Sequence, residues 1–140
     1  MLYCKRKNST NWQFPQGGID KNEDIFHAAL RELYEEVGIE ENKIKLIKES
    51  DNWYKYDLPK KYKRNSFLWE SFKGQKQKWF LFKLIEETKI DLNNENNPEF
   101  DEFNWVDYWK PLDEIVEFKR EIYEKVLTEL EPAYKSEFSK

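Results

Sequence analysis

Only one cysteine, Cys4, occurs in the 140 residues, so no intrachain disulfide can form. A lone cysteine suits a reduced, cytoplasmic setting better than a secreted one, and Cys4 reads as an ordinary strand residue. Long apolar runs are also missing. The longest surrounds Trp79–Phe82, far short of the roughly 20 residues that a membrane-spanning helix needs. The start is polar, with Lys5, Arg6, Lys7 and Asn8, and no signal-peptide pattern is visible. No internal repeat or linker interrupts the chain. Residues 1–140 are therefore expected to form one domain around one core, and a monomer is assumed.

Aromatic residues are plentiful, at 17% of the chain. Each ring removes about 150–250 Å² from water when buried, so a substantial core is available despite low mean hydropathy. Charged residues reach 37%, but the apolar positions fall in periodic blocks, unlike a disordered chain. The net charge of −4 is uneven. Lys55, Lys60, Lys61, Lys63, Arg64, Lys73, Lys76 and Lys78 face only Asp57 and Glu70 across one segment, a surplus of six that leaves −10 elsewhere. One basic stretch in an acidic protein points to a polyanion site, although such runs are commonly just solvated.

The order of elements reads strands, helix, strands, helix. "MLYCKR" and "WQF" suggest short strands, and "FPQGG" a turn, with Pro15 fixing φ and Gly17 and Gly18 admitting close backbone approach. A helix follows, with Asp24 as N-cap (Asp20 is the rival) and Gly38 ending it in the left-handed conformation. Phe26, Ala29, Leu30, Leu33 and Val37 recur at helical spacing and are expected to be its buried stripe. "KIKLI" and "WYKYDL" alternate like strands. "KWFLFKLI" is apolar on both faces and is expected to be a central strand. "NNENNPEFDE" reads as a polar loop and "FNWVDY" as a strand. After Pro111, the residues Ile115, Phe118, Ile122, Val126 and Leu130 mark one helix or two consecutive ones. The expected class is α/β of the α+β type, a mixed sheet between helices.

The helix carries a second pattern. In "RELYEEVG", Glu32, Glu35 and Glu36 stand at i, i+3 and i+4, within an arc of about 100°. Like charges at that spacing weaken an isolated helix by about 0.2–0.5 kcal/mol per pair. Glutamate-rich helix faces are commonly solvated, yet a glycine turn directly before this one brings bare backbone near the carboxylates. Converging oxygens suit a hard divalent cation such as Mg²⁺, which keeps waters for chemistry. A bound ion turns the repulsion into attraction and draws in phosphates.

"GGIDKNEDIFHAALRELYEEVGI" resembles the signature of the Nudix hydrolase family, through Gly17, Glu23, Arg31, Glu32, Leu33, Glu35, Glu36, Gly38 and Ile39. A narrower resemblance rests on "WQFPQGGID", "GQKQKWFL", "PEFDEFNWV" and "FKREIY". These look like the bacterial RNA pyrophosphohydrolases and the similar asymmetric dinucleoside polyphosphate hydrolases, over about Leu2–Leu130.

The resemblance implies metal binding by Glu32, Glu35 and Glu36, with a Gly17 or Gly18 carbonyl and Glu99 as further ligands. It implies Mg²⁺ or Mn²⁺, and more than one ion. Glu23 and Arg31 would orient the metal-binding face, and Glu32, Glu36 and Glu99 are the candidate bases. Arg6, Lys55, Lys60, Lys61, Arg64, Gln75, Lys76 and Lys78 are candidates for substrate phosphates or RNA backbone. Phe118 and Lys119 match a nucleobase-contacting pair. Tyr54, Tyr56 and Trp69 are stacking candidates, whereas most tryptophans, Phe80 and Phe82 are expected in the core. His27 has no catalytic role. The implied reaction converts a triphosphorylated RNA 5′ end to a monophosphate, which initiates RNA decay. The alternative is hydrolysis of diadenosine tetraphosphate and related dinucleotides; a third reading is a non-catalytic nucleotide- or RNA-binding module.

Family members carry another strand and turn ahead of the position of Leu2, with an arginine that helps bind the RNA end. Only eleven residues precede Trp12, so either the start lies upstream or the first strand is truncated. A lost central strand bares backbone edges. The 140-residue form is thus expected to aggregate more readily than one extended by a strand, and equal melting temperatures and activities would count against this.

Overall fold

A computed structural model describes residues 1–15, 24–56, 75–94, 98–115 and 117–138, without the side chains of Lys55, Tyr56, Gln75, Lys76 and Phe118. Seven strands are described: β1 (Leu2–Arg6), β2 (Trp12–Gln13), β3 (Ile44–Glu49), β4 (Tyr54–Tyr56), β5 (Gln75–Gln77), β6 (Phe80–Leu84) and β7 (Phe100–Trp105). The helices are α1 (Ile25–Val37), α2 (Pro111–Glu114) and α3 (Glu117–Phe138), with a 3₁₀ turn over Glu41–Lys43. The class is mixed α/β, as the sequence suggests. Among the described residues the strands pair as three antiparallel ladders, β2-β1-β7, β3-β6 and β4-β5.

In the first ladder, Tyr3 faces Asn104, Cys4 faces Phe103, and Arg6 faces Phe100 after a register shift. The "NNENNPEFDE" loop is therefore shorter than expected, because Phe100, Asp101 and Glu102 are strand. Pairing with β1 overrides their polarity, and Lys5 Nζ lies 2.6 Å from an Asp101 carboxylate oxygen. Between β1 and β2 the chain turns through Asn8 at φ 59°, a conformation asparagine tolerates better than most residues.

Local chemistry sets both ends of α1. The Asp24 carboxylate accepts the His27 N–H at 3.0 Å, satisfying a donor that the first helical turn leaves open. At the other end Gly38 has φ 73° and donates its N–H to the Tyr34 carbonyl at 2.9 Å. A Cβ on Gly38 would lie 2.8 Å from the Asp91 Cβ, so close approach and positive φ both require glycine.

Three apolar clusters hold the elements together. Tyr3, Phe14, Tyr108, Ile115, Tyr123 and Leu127 form one, with Phe14 and Tyr123 stacked at 4.9 Å. Leu81, Ile122, Val126 and Leu130 belong to a second. Cys4, Val37, Ile39 and Phe100 form the third. Ile115, Ile122, Val126 and Leu130 are buried as their spacing predicts, on two consecutive helices that run on to Phe138. Cys4 is fully buried, and burial, with the Glu36 charge beside it, pushes its thiol up to about 12.

Three expectations need correction. On α1 the buried residues are Ala28, Glu36 and Val37, whereas Phe26, Ala29, Leu30 and Leu33 are only half-buried. Ala29 and Leu33 line a cavity of about 780 Å³ bordered by α1, β6 and α3, which leaves them partly open, while Phe26 meets Phe80 and Phe82 at ring-centroid distances of 5.9 and 6.3 Å. The same cavity accounts for β6, which among the described residues pairs only with β3 rather than lying centrally. Tryptophans are not mainly core. Trp53, Trp105 and Trp109 are exposed, Trp12 and Trp79 are half-buried, and Trp69 lies outside the described residues. The Trp109 indole N–H reaches Glu131 at 2.9 Å, so its polar edge is met at the surface. Phe80 and Phe82 are half-buried and stack on each other at 6.2 Å.

Glu129 ties α3 to the β3–β4 connection. Its carboxylate accepts from the Tyr54 hydroxyl at 2.6 Å, Asn52 Nδ2 at 2.9 Å and the Asp51 N–H at 2.8 Å. Partial burial alone would raise its pKa, but these donors together hold it below the ordinary glutamate value. The stability it confers is thus present above the unfolded pKa and lost as pH falls through the folded one. Glu129→Gln is expected to cost about 1–2 kcal/mol near pH 7. That deficit should shrink below about pH 4, as thermal melts across pH would show.

Candidate active site

The caps set where α1 begins and ends, and its packing decides what each glutamate meets. Arg31 Nη1 donates to Glu32 Oε1 at 2.9 Å and to Glu35 Oε2 at 3.1 Å. A single guanidinium nitrogen therefore stands between two carboxylates that would otherwise repel. Glu32 is mostly buried, Glu35 is more exposed, and Glu36 is 1% exposed. Glu32 and Glu36 both line the 780 Å³ cavity, together with Ala28, Leu33, Phe80 and Val126. Burial pushes the Glu32 carboxyl above its ordinary range. Arg31 pulls the other way, and the charges of Glu35 and Glu99 add to the rise.

Glu99 lies just before β7. It is exposed, and its carbonyl accepts the Lys7 N–H at 2.8 Å, so the β1–β7 ladder brings its charge within reach of Glu32. The strand end that carries this contact also carries Arg6. The Arg6 charge acts on Lys119 of α3, which is 8% exposed and donates to Gln13 Oε1 at 3.2 Å. Burial, then Arg6, lowers the Lys119 pKa. Gln13 is a partner that sequence reasoning missed; as a glutamine on a two-residue strand it carried no signal.

Lys78 lines the same cavity as Glu32 and Glu36, but its ammonium donates to the Ser50 and Asp51 carbonyls at 2.8 and 3.2 Å. Tyr54 is buried, with its hydroxyl on Glu129, which corrects its expected role as a stacking surface. Lys55 pairs with Lys76, and Tyr56 with Gln75, across β4–β5. Gly17, Gly18, Glu23, Lys60, Lys61 and Arg64 lie outside the described residues, as do the side chains of Lys55, Gln75, Lys76 and Phe118.

The donor set suits a divalent cation in kind and charge. Carboxylate oxygens are hard ligands, a cation already sits between Glu32 and Glu35, and the Glu35 and Glu99 charges act on Glu32. In this arrangement, however, no three acidic, histidine or cysteine side chains among the described residues converge to hold one ion. Arg31 takes Glu32 Oε1 and Glu35 Oε2, one oxygen of each carboxylate.

A family profile described as the NUDIX domain matches residues 1–126. The chain belongs to the Nudix family. Nudix hydrolases generally need divalent metal ions. The chain is 44% identical over 130 residues to a protein named RNA pyrophosphohydrolase from Haemophilus ducreyi, covering 92% of this chain and 66% of that protein. It is 45% identical over 130 residues to the RNA pyrophosphohydrolase of Actinobacillus pleuropneumoniae, covering 92% and 63%. Its identity to that of Francisella tularensis subsp. mediasiatica is 46% over 129 residues, covering 91% and 82%. The Nudix chain thus spans somewhat less than two thirds of the first two relatives. In fold it is similar to a C. elegans Ap4A hydrolase, with TM-score 0.64, 18% identity, and coverage of 94% of this chain and 86% of that one. It is likewise similar to the E. coli dihydroneopterin triphosphate pyrophosphohydrolase, at 0.68 and 20%, covering 91% and 84%. Among the described residues no helix is long and apolar enough to cross a membrane.

Removing the charge between the carboxylates should be measurable. Arg31→Met is expected to lower the metal-free melting temperature at low salt by the equivalent of less than about 1 kcal/mol. Millimolar magnesium should recover the loss. A variant that melts like wild type without metal would show that Arg31 does not offset the repulsion.

Proposed function

We propose that this Nudix domain, residues 1–140, is an RNA pyrophosphohydrolase. It removes pyrophosphate from the 5′-triphosphate end of RNA, leaves a 5′-monophosphate and so initiates RNA decay. The observation that carries the reading is the 44–46% identity to proteins of that name over 91–92% of the chain. The glutamates agree with it, since all three of the helix stripe are present and two of them share one cavity.

In this reading, Glu32, Glu35 and Glu36 hold Mg²⁺ or Mn²⁺, more than one ion, with Glu99 and the Gly17 carbonyl as further ligands and Glu23 with Arg31 as the orienting pair. The bound metal lowers the pKa of water and neutralises charge on the leaving phosphate. The chain's own part is acid–base chemistry and positioning. A carboxylate among Glu32, Glu36 and Glu99 accepts the proton as the water oxygen bonds to phosphorus. The phosphorus–oxygen bond to the departing pyrophosphate then breaks. Arg6, Lys55, Gln75, Lys76 and Lys78 take the phosphates and the chain behind them. Lys119, held by Gln13, takes the base edge with Phe118. The setting is the cytoplasm.

The test is product identification on 5′-triphosphorylated RNA with magnesium. Pyrophosphate and 5′-monophosphate RNA are expected, with no turnover after chelation. Glu36→Gln should lose at least about a hundredfold in rate while keeping its fold. AMP and ATP from diadenosine tetraphosphate, with RNA left intact, would replace this reading with dinucleotide hydrolysis. RNA binding without release of pyrophosphate from any nucleotide would leave a binding module.

A further inference from the structure

Trp53 stands between β3 and β4. Its neighbour Tyr54 is buried, but the Trp53 indole is 43% exposed and lines a surface hollow of about 500 Å³ with Asn52, Tyr54, Ile122 and Lys125. Leaving so large a ring in water forgoes burial that a tryptophan normally takes. The backbone around it is pinned on both sides. Asp51, Asn52 and Tyr54 all donate to Glu129, so the indole is presented from a rigid frame.

Charge surrounds the ring. Lys78 Nζ stands 5.5 Å from the Trp53 ring centroid, held there by the Ser50 and Asp51 carbonyls. Lys125 borders the same hollow. Carboxylates stand nearby as well: Glu121 pairs with Lys125 at 3.0 Å, Glu49 with Lys78 at 3.8 Å and Asp51 with Lys48 at 3.2 Å, while Glu129 accepts from three uncharged donors. Lys78 also lines the cavity into which Glu32 and Glu36 open, so the hollow and the carboxylates flank the same lysine. The basic segment of the sequence begins two residues after Trp53. A rigid exposed aromatic beside cations is the arrangement that holds single-stranded nucleic acid, where bases stack on the ring and phosphates meet the charges.

We propose that Trp53 is a stacking platform for a nucleobase of single-stranded RNA downstream of the reacting 5′ end, with Lys125 meeting a backbone phosphate. The assignment rests on the RNA reading above and adds a site that reading does not contain. A platform for a downstream base acts on RNA chains and not on a nucleotide that has no downstream base.

The test measures binding without hydrolysis. A 3′-labelled single-stranded hexaribonucleotide with a 5′-monophosphate is titrated with the full chain, and fluorescence anisotropy gives the Kd. Trp53→Ala is expected to weaken binding by about fivefold or more, and Trp53→Phe, which keeps a ring, by less than about threefold. Lys125→Ala should reduce the slope of log K against log salt by about 0.7. Binding of a nucleoside triphosphate should be unchanged in Trp53→Ala, with melting temperatures confirming that each variant folds. Equal hexanucleotide affinity for wild type and Trp53→Ala overturns the proposal, and leaves the ring as a surface for something other than RNA. Equal weakening by Trp53→Ala and Trp53→Phe overturns it too, because stacking does not then account for the loss. If the protein releases no pyrophosphate from RNA yet Trp53→Ala still weakens binding, the proposed reaction falls and the platform stands.

Discussion

Mutual repulsion of carboxylates on α1 is the constraint around which the site is organised. Glu32, Glu35 and Glu36 project from one side of a thirteen-residue helix, a placement that costs free energy unless positive charge is supplied. Arg31 supplies it from within the same turn, one nitrogen serving both Glu32 and Glu35. Glu36 goes the other way, into the interior beside Cys4, where its charge adds to the rise of the thiol pKa. Each glutamate thus has a different environment, although the three are near-neighbours in sequence. Under the proposed reading, that difference lets identical side chains divide the tasks of ligand and base.

The scaffold serves this helix from two sides. Asp24 and Gly38 close the two ends of α1, and the Gly38 turn lies against Asp91 too closely for any side chain. The β1–β7 ladder delivers Arg6 and Glu99 from strands far apart in sequence, through Arg6 opposite Phe100 and the Lys7 bond to the Glu99 carbonyl. From the other side α3 supplies Lys119 to Gln13 and Glu129 to the β3–β4 connection. The polar ties of α3 lie at the edges of the apolar clusters, where hydrogen bonds to charged groups are still partly shielded from water.

Legibility differed by element, for physical reasons. The caps of α1 were readable because capping is local: an aspartate oxygen and a left-handed glycine act within four residues of themselves. The buried positions around α3 followed from spacing, since Ile115 just before it and Ile122, Val126 and Leu130 on it all meet apolar clusters. The same reasoning went astray on α1, where Ala29 and Leu33 border a cavity and periodicity carries no information about empty space. It went astray on β6, whose apolar character suits a strand beside a cavity as well as one between two neighbours. It also missed the exchange between Tyr54 and Trp53. Which of two adjacent aromatics turns inward depends on Glu129, 75 residues away from Tyr54.

By itself the sequence determined the family, the helix with its three glutamates and both caps, because these depend on residue type at short fixed spacings. Only the tertiary structure decided that Arg31 sits between Glu32 and Glu35 and that Glu36 is buried. It also decided that Gln13 holds Lys119 and that Trp53 faces solvent. Each of those outcomes depends on which distant side chains share a few ångströms of space, and hydrogen bonding and burial act over that distance whatever the separation along the chain.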